Sequence, residues 1–164
     1  MKFYLVDRIE SITRPTGIVT TKALSLAEEY LADHFPAFPV LPGVMMLEAL
    51  VQSAAWLVRV EQDFAKSIIV LRSARNVRYA NFVSPGKILR CELEAVEIGE
   101  GSARFKGTGL IDGQTAVTAR LELECFNLAQ RQEWLKGADE KTVADLRRQF
   151  ALVGGPQALA AGAP

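Results

Sequence analysis

The sequence predicts an α+β domain in which a long antiparallel sheet wraps around one buried helix. An apolar run over residues 43–62 opens at Pro42-Gly43 and has the length and composition of a helix of about five turns. Its apolar residues lie almost all round the helix, which predicts burial on every side. After residue 66, several segments alternate apolar and polar residues, as antiparallel strands do. A single buried helix and one long sheet fit together only if the sheet encloses the helix.

The segments before the long helix predict two strands and a stiff loop. Residues 3–12 and 17–24 are expected to form strands, and Ser25 to Ala32 a short helix or turn. The prolines at 36, 39 and 42 exclude a helix interior or a central strand, so residues 35–41 are expected to be irregular.

The segments after the long helix predict four or five antiparallel strands. We expect strands over residues 67–71, 76–83, 87–98, 102–111 and 116–126, with an Asp112-Gly113 hairpin between the last two. Alternation predicts two inward-facing sets: Leu89, Cys91, Leu93 and Ala95, then Val117, Ala119, Leu121, Leu123 and Cys125.

The pattern changes after Phe126. One or two amphipathic helices are expected, broken near Gly137, with Trp134 and Phe150 among the apolar anchors. The last residues are rich in Gly and Ala and resemble a flexible end. The predicted organisation is a core domain over residues 1–126, a helical extension over 127–153 and a flexible tail over 154–164.

The charge balance restricts the kinds of partner that the chain is expected to bind. The chain has 164 residues with 19 basic and 19 acidic side chains, so no general affinity for nucleic acid is implied. Between Lys66 and Lys106, however, eight Lys and Arg face four Glu, which leaves this segment at +4. Two interpretations stay open: solvated outer faces of strands, or a docking face for an acidic partner.

The remaining composition points to the cytoplasm. Cys91 and Cys125 lie in alternating apolar patterns typical of buried reduced thiols, and no cluster of Cys and His predicts a metal. The first ten residues lack a signal-peptide core, and the longest apolar run is interrupted by Glu48, Gln52 and Arg59, so no membrane span is expected.

The candidate site is a short segment with the only histidine of the chain. His34 precedes the Pro-rich loop, Gly43 stands at the start of the helix, and Glu48 and Gln52 share a helix face one turn apart. A carboxylate within an apolar helix needs a partner or a proton, which suits general acid–base work beside an imidazole. The helix N-terminus could polarise a substrate carbonyl. Taken singly, His34 could be structural, and Glu48 could pair with a cation such as Arg72 across a subunit contact.

The same segment resembles a known enzyme family. "HFPAFPVLPGVMMLEALVQ" matches the pattern H-F-P-x-x-P-x-x-P-G-V-x-x-x-E-x-x-x-Q of the 3-hydroxyacyl-acyl-carrier-protein dehydratases of fatty-acid synthesis. The segments "ANFVSPGKIL" and "ARFKGTGLIDG" support the resemblance, which covers about residues 3–126. It implies the hot-dog fold, with homodimers and often trimers of dimers.

The resemblance also implies a reaction and roles. Water would leave a 3-hydroxyacyl thioester to give the trans-2-enoyl thioester, without a metal or redox cofactor. His34 would take the C2 proton, and Glu48 of the partner subunit would protonate the departing hydroxyl. Further site residues would be Gly43 and Val44 for the carbonyl, Gln52 and Pro42 in support, and Phe35, Phe38, Met45, Met46 and Leu47 along an acyl tunnel.

Two positions depart from the family pattern. Asp33 and Ala37 stand where the family usually has glycine, so their effect on activity and chain-length preference is open. Two alternatives to a dehydratase acting on acyl-carrier-protein substrates therefore remain. One is a hot-dog acyl thioesterase, and the other is a non-catalytic hot-dog subunit for acyl binding or assembly.

Overall fold

A computed structural model describes residues 3–161 as a six-stranded antiparallel sheet with three α-helices. Short 3₁₀ turns lie before α1 and between the last strand and α2. The strands are β1 (Arg8–Thr13), β2 (Gly17–Ala23), β3 (Ile68–Tyr79), β4 (Ile88–Ile98), β5 (Ser102–Ile111) and β6 (Gln114–Phe126). The helices are α1 (Gly43–Glu61), α2 (Lys136–Leu152) and α3 (Gly155–Ala161).

The sheet encloses α1 as the sequence predicts. Its strand order is β1-β2-β4-β5-β6-β3, and α1 packs against β2, β3, β4, β5 and β6. Leu50 and Leu57 of α1 are completely buried, as are Leu89 and Leu123 of the sheet. The α+β architecture is therefore confirmed, and alternation identified the inner faces of β4 and β6 correctly, with Ala95 only half-buried.

Several predictions about the strands are wrong. β1 begins at Arg8 rather than at residue 3, and residues 80–83 lie outside any strand. Residues 68–79 form a single strand rather than two short ones. The pairing of β3 with β6 shifts register at Leu71/Ser73 and again at Arg75/Arg78, and Asn76 adopts a positive φ of 53°. These bulges break the apolar alternation while the strand continues, because a bulge inserts a residue without ending the ladder.

The expected burial of α1 on every side is also wrong for a single chain. The helix is apolar and long enough to cross a membrane by length and composition alone, but 61% of that stretch is buried in the fold. The face turned away from the sheet is partly open, with Val44 70% exposed and Glu48 exposed. Glu48 is therefore not a buried carboxylate in the isolated chain.

The extension beyond Phe126 packs through Phe150 and Asp139. The Phe150 ring lies 5.7 Å from Trp56 and 5.6 Å from Phe64, centroid to centroid. The buried Asp139 carboxylate accepts hydrogen bonds from Ser67 and from two backbone N–H groups. These contacts fasten α2 to the end of the sheet.

Two expectations about the extension are wrong. Gly137 lies within the first turn of α2 rather than at a break, and Trp134 is 78% exposed rather than an anchor. Gly137 is exposed at the helix end, so its low helix propensity costs only about 1 kcal/mol there.

The last described residues are ordered, in contrast to the expected flexible tail. Residues 155–161 form α3, which packs against β1, and the Val153 carbonyl accepts a 2.7 Å hydrogen bond from the Ile9 N–H. Glycine at position 155 also lets α3 start close to α2, since a Cβ there would lie 2.2 Å from the Phe150 ring. Residues 162–164 of the expected tail lie outside the described residues.

Candidate active site

The loop that carries His34 is held by backbone hydrogen bonds at both ends. Val40 N–H donates to the His34 carbonyl at 3.0 Å, and Leu41 N–H donates to the Val83 carbonyl at 2.8 Å. Val40, Leu41 and Val83 are buried, whereas His34 is half-buried. The Pro-rich segment is therefore a rigid platform anchored in the core, with the imidazole at its surface.

One hydrogen bond determines the tautomer of His34. Its Nδ1 lies 3.0 Å from the Val40 carbonyl oxygen. A carbonyl oxygen can only accept, so Nδ1 carries the hydrogen, and in the neutral ring Nε2 presents a lone pair. The Phe35 ring stacks on the imidazole at 4.2 Å and fixes its plane. This arrangement orients Nε2 as a proton acceptor.

The N-terminus of α1 lies directly after this platform. Pro42 caps the helix, and its carbonyl accepts hydrogen bonds from Met45 and Met46 N–H. The first N–H groups of a helix have no partner within it, so those of Gly43 and Val44 lie at the positive end of the helix dipole. Such N–H groups can stabilise a developing oxyanion.

Tyr79 covers Gly43, a contact that sequence reasoning missed. A Cβ at Gly43 would lie 3.1 Å from Tyr79 Cε1 and 3.2 Å from Cζ, so only glycine lets the ring approach this closely. Tyr79 itself is 47% exposed, at the end of β3. No local pattern indicated this contact, because the two residues are 36 positions apart in the chain.

Glu48 is oriented by Gln52, as the spacing suggested. Gln52 Nε2 donates to Glu48 Oε1 at 3.0 Å and to the Phe3 carbonyl at 3.0 Å. Gln52 Oε1 accepts a 2.9 Å hydrogen bond from the Leu5 N–H. Since a backbone N–H can only donate, these bonds fix which end of the amide faces Glu48. Gln52 thereby connects the N-terminal segment, α1 and the candidate acid.

The single chain does not join the two candidate catalytic groups. Among residues 3–161, neither a hydrogen bond nor an ion pair links His34 to Glu48. His34 belongs to the loop before α1, whereas Glu48 lines an open groove of about 960 Å³ between α1, α2 and the N-terminal segment. A complete site therefore needs a second surface that faces Glu48.

The predicted tunnel residues divide between surface and core. Phe35 and Phe38 are 52% and 54% exposed at the loop, and Phe38 contacts Phe82 at 5.7 Å. Met46 is buried in the core at 2% exposure, so it is not open to a substrate, whereas Met45 and Leu47 are half-buried. The groove beside Glu48 is bordered by other side chains, among them Trp56 and Arg59.

Salt bridges neutralise most of the basic segment. Six of its eight cations pair with carboxylates: Lys66, Arg72, Lys87, Arg90, Arg104 and Lys106. Arg75 and Arg78, both exposed on β3, have no ion-pair partner within residues 3–161. The surplus charge is thus concentrated on one strand, next to Tyr79.

Comparison with known proteins identifies the family of the chain. The family model described as a FabA-like domain matches residues 1–120. The chain belongs to the FabA-like domain family. A 3-hydroxyacyl-acyl-carrier-protein dehydratase FabZ from Albidiferax ferrireducens is 38% identical over 122 residues, which cover 73% of this chain and 81% of that protein. A FabZ from Solibacter usitatus is 36% identical over 139 residues, covering 84% and 83%.

Solved structures confirm the hot-dog fold of this FabA-like chain. The dehydratase heterocomplex ApeI:P from Xenorhabdus doucetiae superposes with a TM-score of 0.67 at 19% identity, over 81% of this chain and 90% of that one. A hypothetical thioesterase from Streptococcus pneumoniae superposes with a TM-score of 0.54 at 14% identity, over 73% and 85%. At these identities the likeness concerns the fold alone.

Proposed function

We propose that this chain is a 3-hydroxyacyl-acyl-carrier-protein dehydratase of fatty-acid or related lipid synthesis. It would convert a 3-hydroxyacyl thioester into the trans-2-enoyl thioester and water. The related FabZ dehydratases and the complete spaced motif support this proposal. The observation that carries it is the hydrogen bond from His34 Nδ1 to Val40, which leaves Nε2 as the base.

His34 removes the C2 proton in this mechanism. That proton is acidified by the thioester carbonyl, whose oxygen gains negative charge as the C2–H bond breaks. The N–H groups of Gly43 and Val44 at the start of α1 stabilise this charge, and Pro42 holds the first turn. No step requires a metal or a redox cofactor.

Glu48 delivers the second proton. The C3–O bond breaks as the C2=C3 double bond forms, and the hydroxyl leaves as water with the proton from Glu48. Gln52 already occupies Glu48 Oε1, so Oε2 carries the proton that is transferred. Gln52 is a positioning residue, since it acts through Glu48.

We propose that the site is shared between two copies. Glu48 and Val44 lie on the open face of α1, and within residues 3–161 no strand pairs with the outer edge of β3. A homodimer that covers the open face of α1 and pairs the backbone edges of the two β3 strands would bring the partner subunit's Glu48 to His34. A trimer of such dimers is the expected larger assembly.

We propose that Arg75 and Arg78 dock the acidic acyl-carrier protein. Both are exposed on β3, and Tyr79, which follows them, covers Gly43. A carrier bound there would deliver its thioester arm close to the helix N-terminus. We also propose a cytoplasmic location, which the free, buried thiols of Cys91 and Cys125 support.

One assay tests the reaction. Purified protein is incubated with 3-hydroxybutyryl thioester, and the enoyl product is followed by absorbance beside His34→Ala and Glu48→Gln. We expect enoyl formation in the wild type and its loss in both variants. Release of free thiol without enoyl product would identify a thioesterase instead. Full activity of Glu48→Gln would refute the acid role.

A second assay tests the docking surface. Arg75→Glu with Arg78→Glu should raise KM for the carrier-bound substrate, while kcat/KM for a small thioester such as the N-acetylcysteamine derivative stays unchanged. Arg104→Glu, a charge reversal at a residue of β5 that pairs with Glu97, is the matched control. An equal loss with both substrates would refute docking by these arginines.

A further inference from the structure

Arg59 is a cation on α1 that the fold leaves without an anionic partner. No carboxylate among residues 3–161 forms an ion pair with it, and its Nε is shielded from solvent with no acceptor in that part of the chain. Its guanidinium lies 5.1 Å from the centre of the Trp56 ring. Burial lowers the pKa of Arg59 to about 10. Arg59 as a whole is half-buried, so a ligand that fills the groove would remove the remaining water from its guanidinium, which is costly unless the ligand supplies an anion.

Arg59 lies at the far end of the groove that begins at Glu48. The two residues are 11 positions apart on α1, or about three turns, so they share a face about 16 Å apart. The groove that contains both residues has a mixed lining, whose apolar part includes Val51, Ala55, Trp56, Ile69, Leu146 and Leu152. Of the other charges there, Arg148 pairs with Asp145, and Asp7 pairs with Lys22.

We propose that Arg59 binds a carboxylate at the far end of the substrate's acyl chain. The thioester end of the same chain reacts beside Glu48. This inference rests on the proposed dehydratase function. The apolar wall would contact the methylene groups, and the guanidinium would form a charge-assisted hydrogen bond with the terminal carboxylate. A chain that ends in methyl would leave the guanidinium desolvated and unpaired. The groove therefore selects ω-carboxyacyl thioesters.

Kinetics with matched substrates test the selection. Wild type and Arg59→Met are compared on two 3-hydroxyacyl thioesters of equal carbon number, one ending in methyl and one in carboxylate. We expect wild type to have the higher kcat/KM for the carboxylate chain. Arg59→Met should lose about tenfold to a hundredfold on that chain, and nothing on the methyl-ended one. Arg59→Lys keeps the positive charge, so its kcat/KM for the carboxylate chain should lie between those of wild type and Arg59→Met.

The control variant is Arg104→Met, which removes an exposed arginine of β5 outside the groove and should keep the wild-type preference. Circular dichroism confirms that each variant folds. Equal kcat/KM of wild type for both chains would overturn the inference while leaving the dehydratase intact. A change in mass by analytical ultracentrifugation in Arg59→Met, with substrate preference unchanged, would assign Arg59 to a contact between copies and also overturn it.

A binding measurement separates this inference from the proposed reaction. Trp56 borders the groove, so its fluorescence in a Trp134→Phe background reports occupancy. A long-chain α,ω-dicarboxylic acid should bind saturably and the corresponding fatty alcohol at least tenfold more weakly, a difference that Arg59→Met removes. Such binding without any enoyl formation would refute the reaction and retain the anion site. No difference between the two ligands would refute the site.

Discussion

Replacement of Gln52 by Met tests two roles of Gln52 separately: its contribution to stability and its orientation of Glu48. Methionine has a similar volume but neither donates nor accepts the three hydrogen bonds of the amide. The bond to Leu5 N–H matters most for stability, since Leu5 is only 2% exposed and its N–H would lose its acceptor. Phe3 is 43% exposed, so water can replace the bond to its carbonyl.

The expected destabilisation follows from that single buried group. An unsatisfied buried N–H costs about 1–3 kcal/mol, so the free energy of unfolding should fall by about 2 kcal/mol. With a urea dependence of about 1–3 kcal/mol per molar, the midpoint should fall by about 1 M. Activity should fall about tenfold in kcat, because Gln52 orients Glu48 for the proton transfer.

Urea unfolding followed by circular dichroism, together with the enoyl assay, measures both effects. Gln157→Met is the control, because Gln157 is an exposed helical glutamine on α3. An unfolding midpoint equal to that of wild type would refute the role assigned to the Leu5 hydrogen bond. A lower midpoint with unchanged kcat would retain that bond and refute the positioning of Glu48.

Three further outcomes are expected. Gly43→Ala places a Cβ 3.1 Å from the Tyr79 ring, so it should lower kcat/KM, and Tyr79→Leu should partly restore it in the enoyl assay. Burial raises the pKa of Asp139, but its three hydrogen bonds outweigh this effect and lower the pKa overall. The ionised carboxylate therefore stabilises the fold, and this contribution to the free energy of unfolding is lost as pH falls below the ordinary pKa range of Asp. In wild type, hydrogen exchange in acid should therefore show that the amides of α2 lose protection before those of β5. In Asp139→Asn, the same loss should occur already at neutral pH. Burial raises the pKa of Cys91 to about 12, so iodoacetamide at pH 8 should label this thiol only after unfolding.

Local patterns predicted the sheet well because strand faces are encoded by neighbouring residues. β5 has the bounds that alternation predicted, and both cysteines face inward. The first strand was predicted to start at residue 3 rather than at Arg8, and the two halves of β3 were separated wrongly, since the bulge at Asn76 interrupts the pattern but not the strand. Alternation of apolar and polar residues shows which side of the sheet each residue faces, and a bulge shifts this alternation by one residue.

Long-range contacts account for what the sequence did not predict. The spacing of Glu48 and Gln52 indicated their hydrogen bond, but the partners of Gln52 in the N-terminal segment are 47 and 49 residues away. The exposure of Glu48 was missed because an apolar helix was expected to be buried within one chain. The helix α3 was missed because Gly155 and Ala158 serve close packing, which composition does not distinguish from flexibility.

The extension has a consequence for how many copies can associate. Its Val153 carbonyl and α3 occupy the outer edge of β1, whereas β3 stays open at the opposite edge. A sheet with one covered edge can be continued only at the other edge, so the pairing proposed above through β3 would stop at two chains. Without residues 127–161 both margins would be free, and the same pairing chemistry could propagate into an endless ribbon. In the proposed dimer, the extension would therefore act as a terminator that keeps the assembly finite.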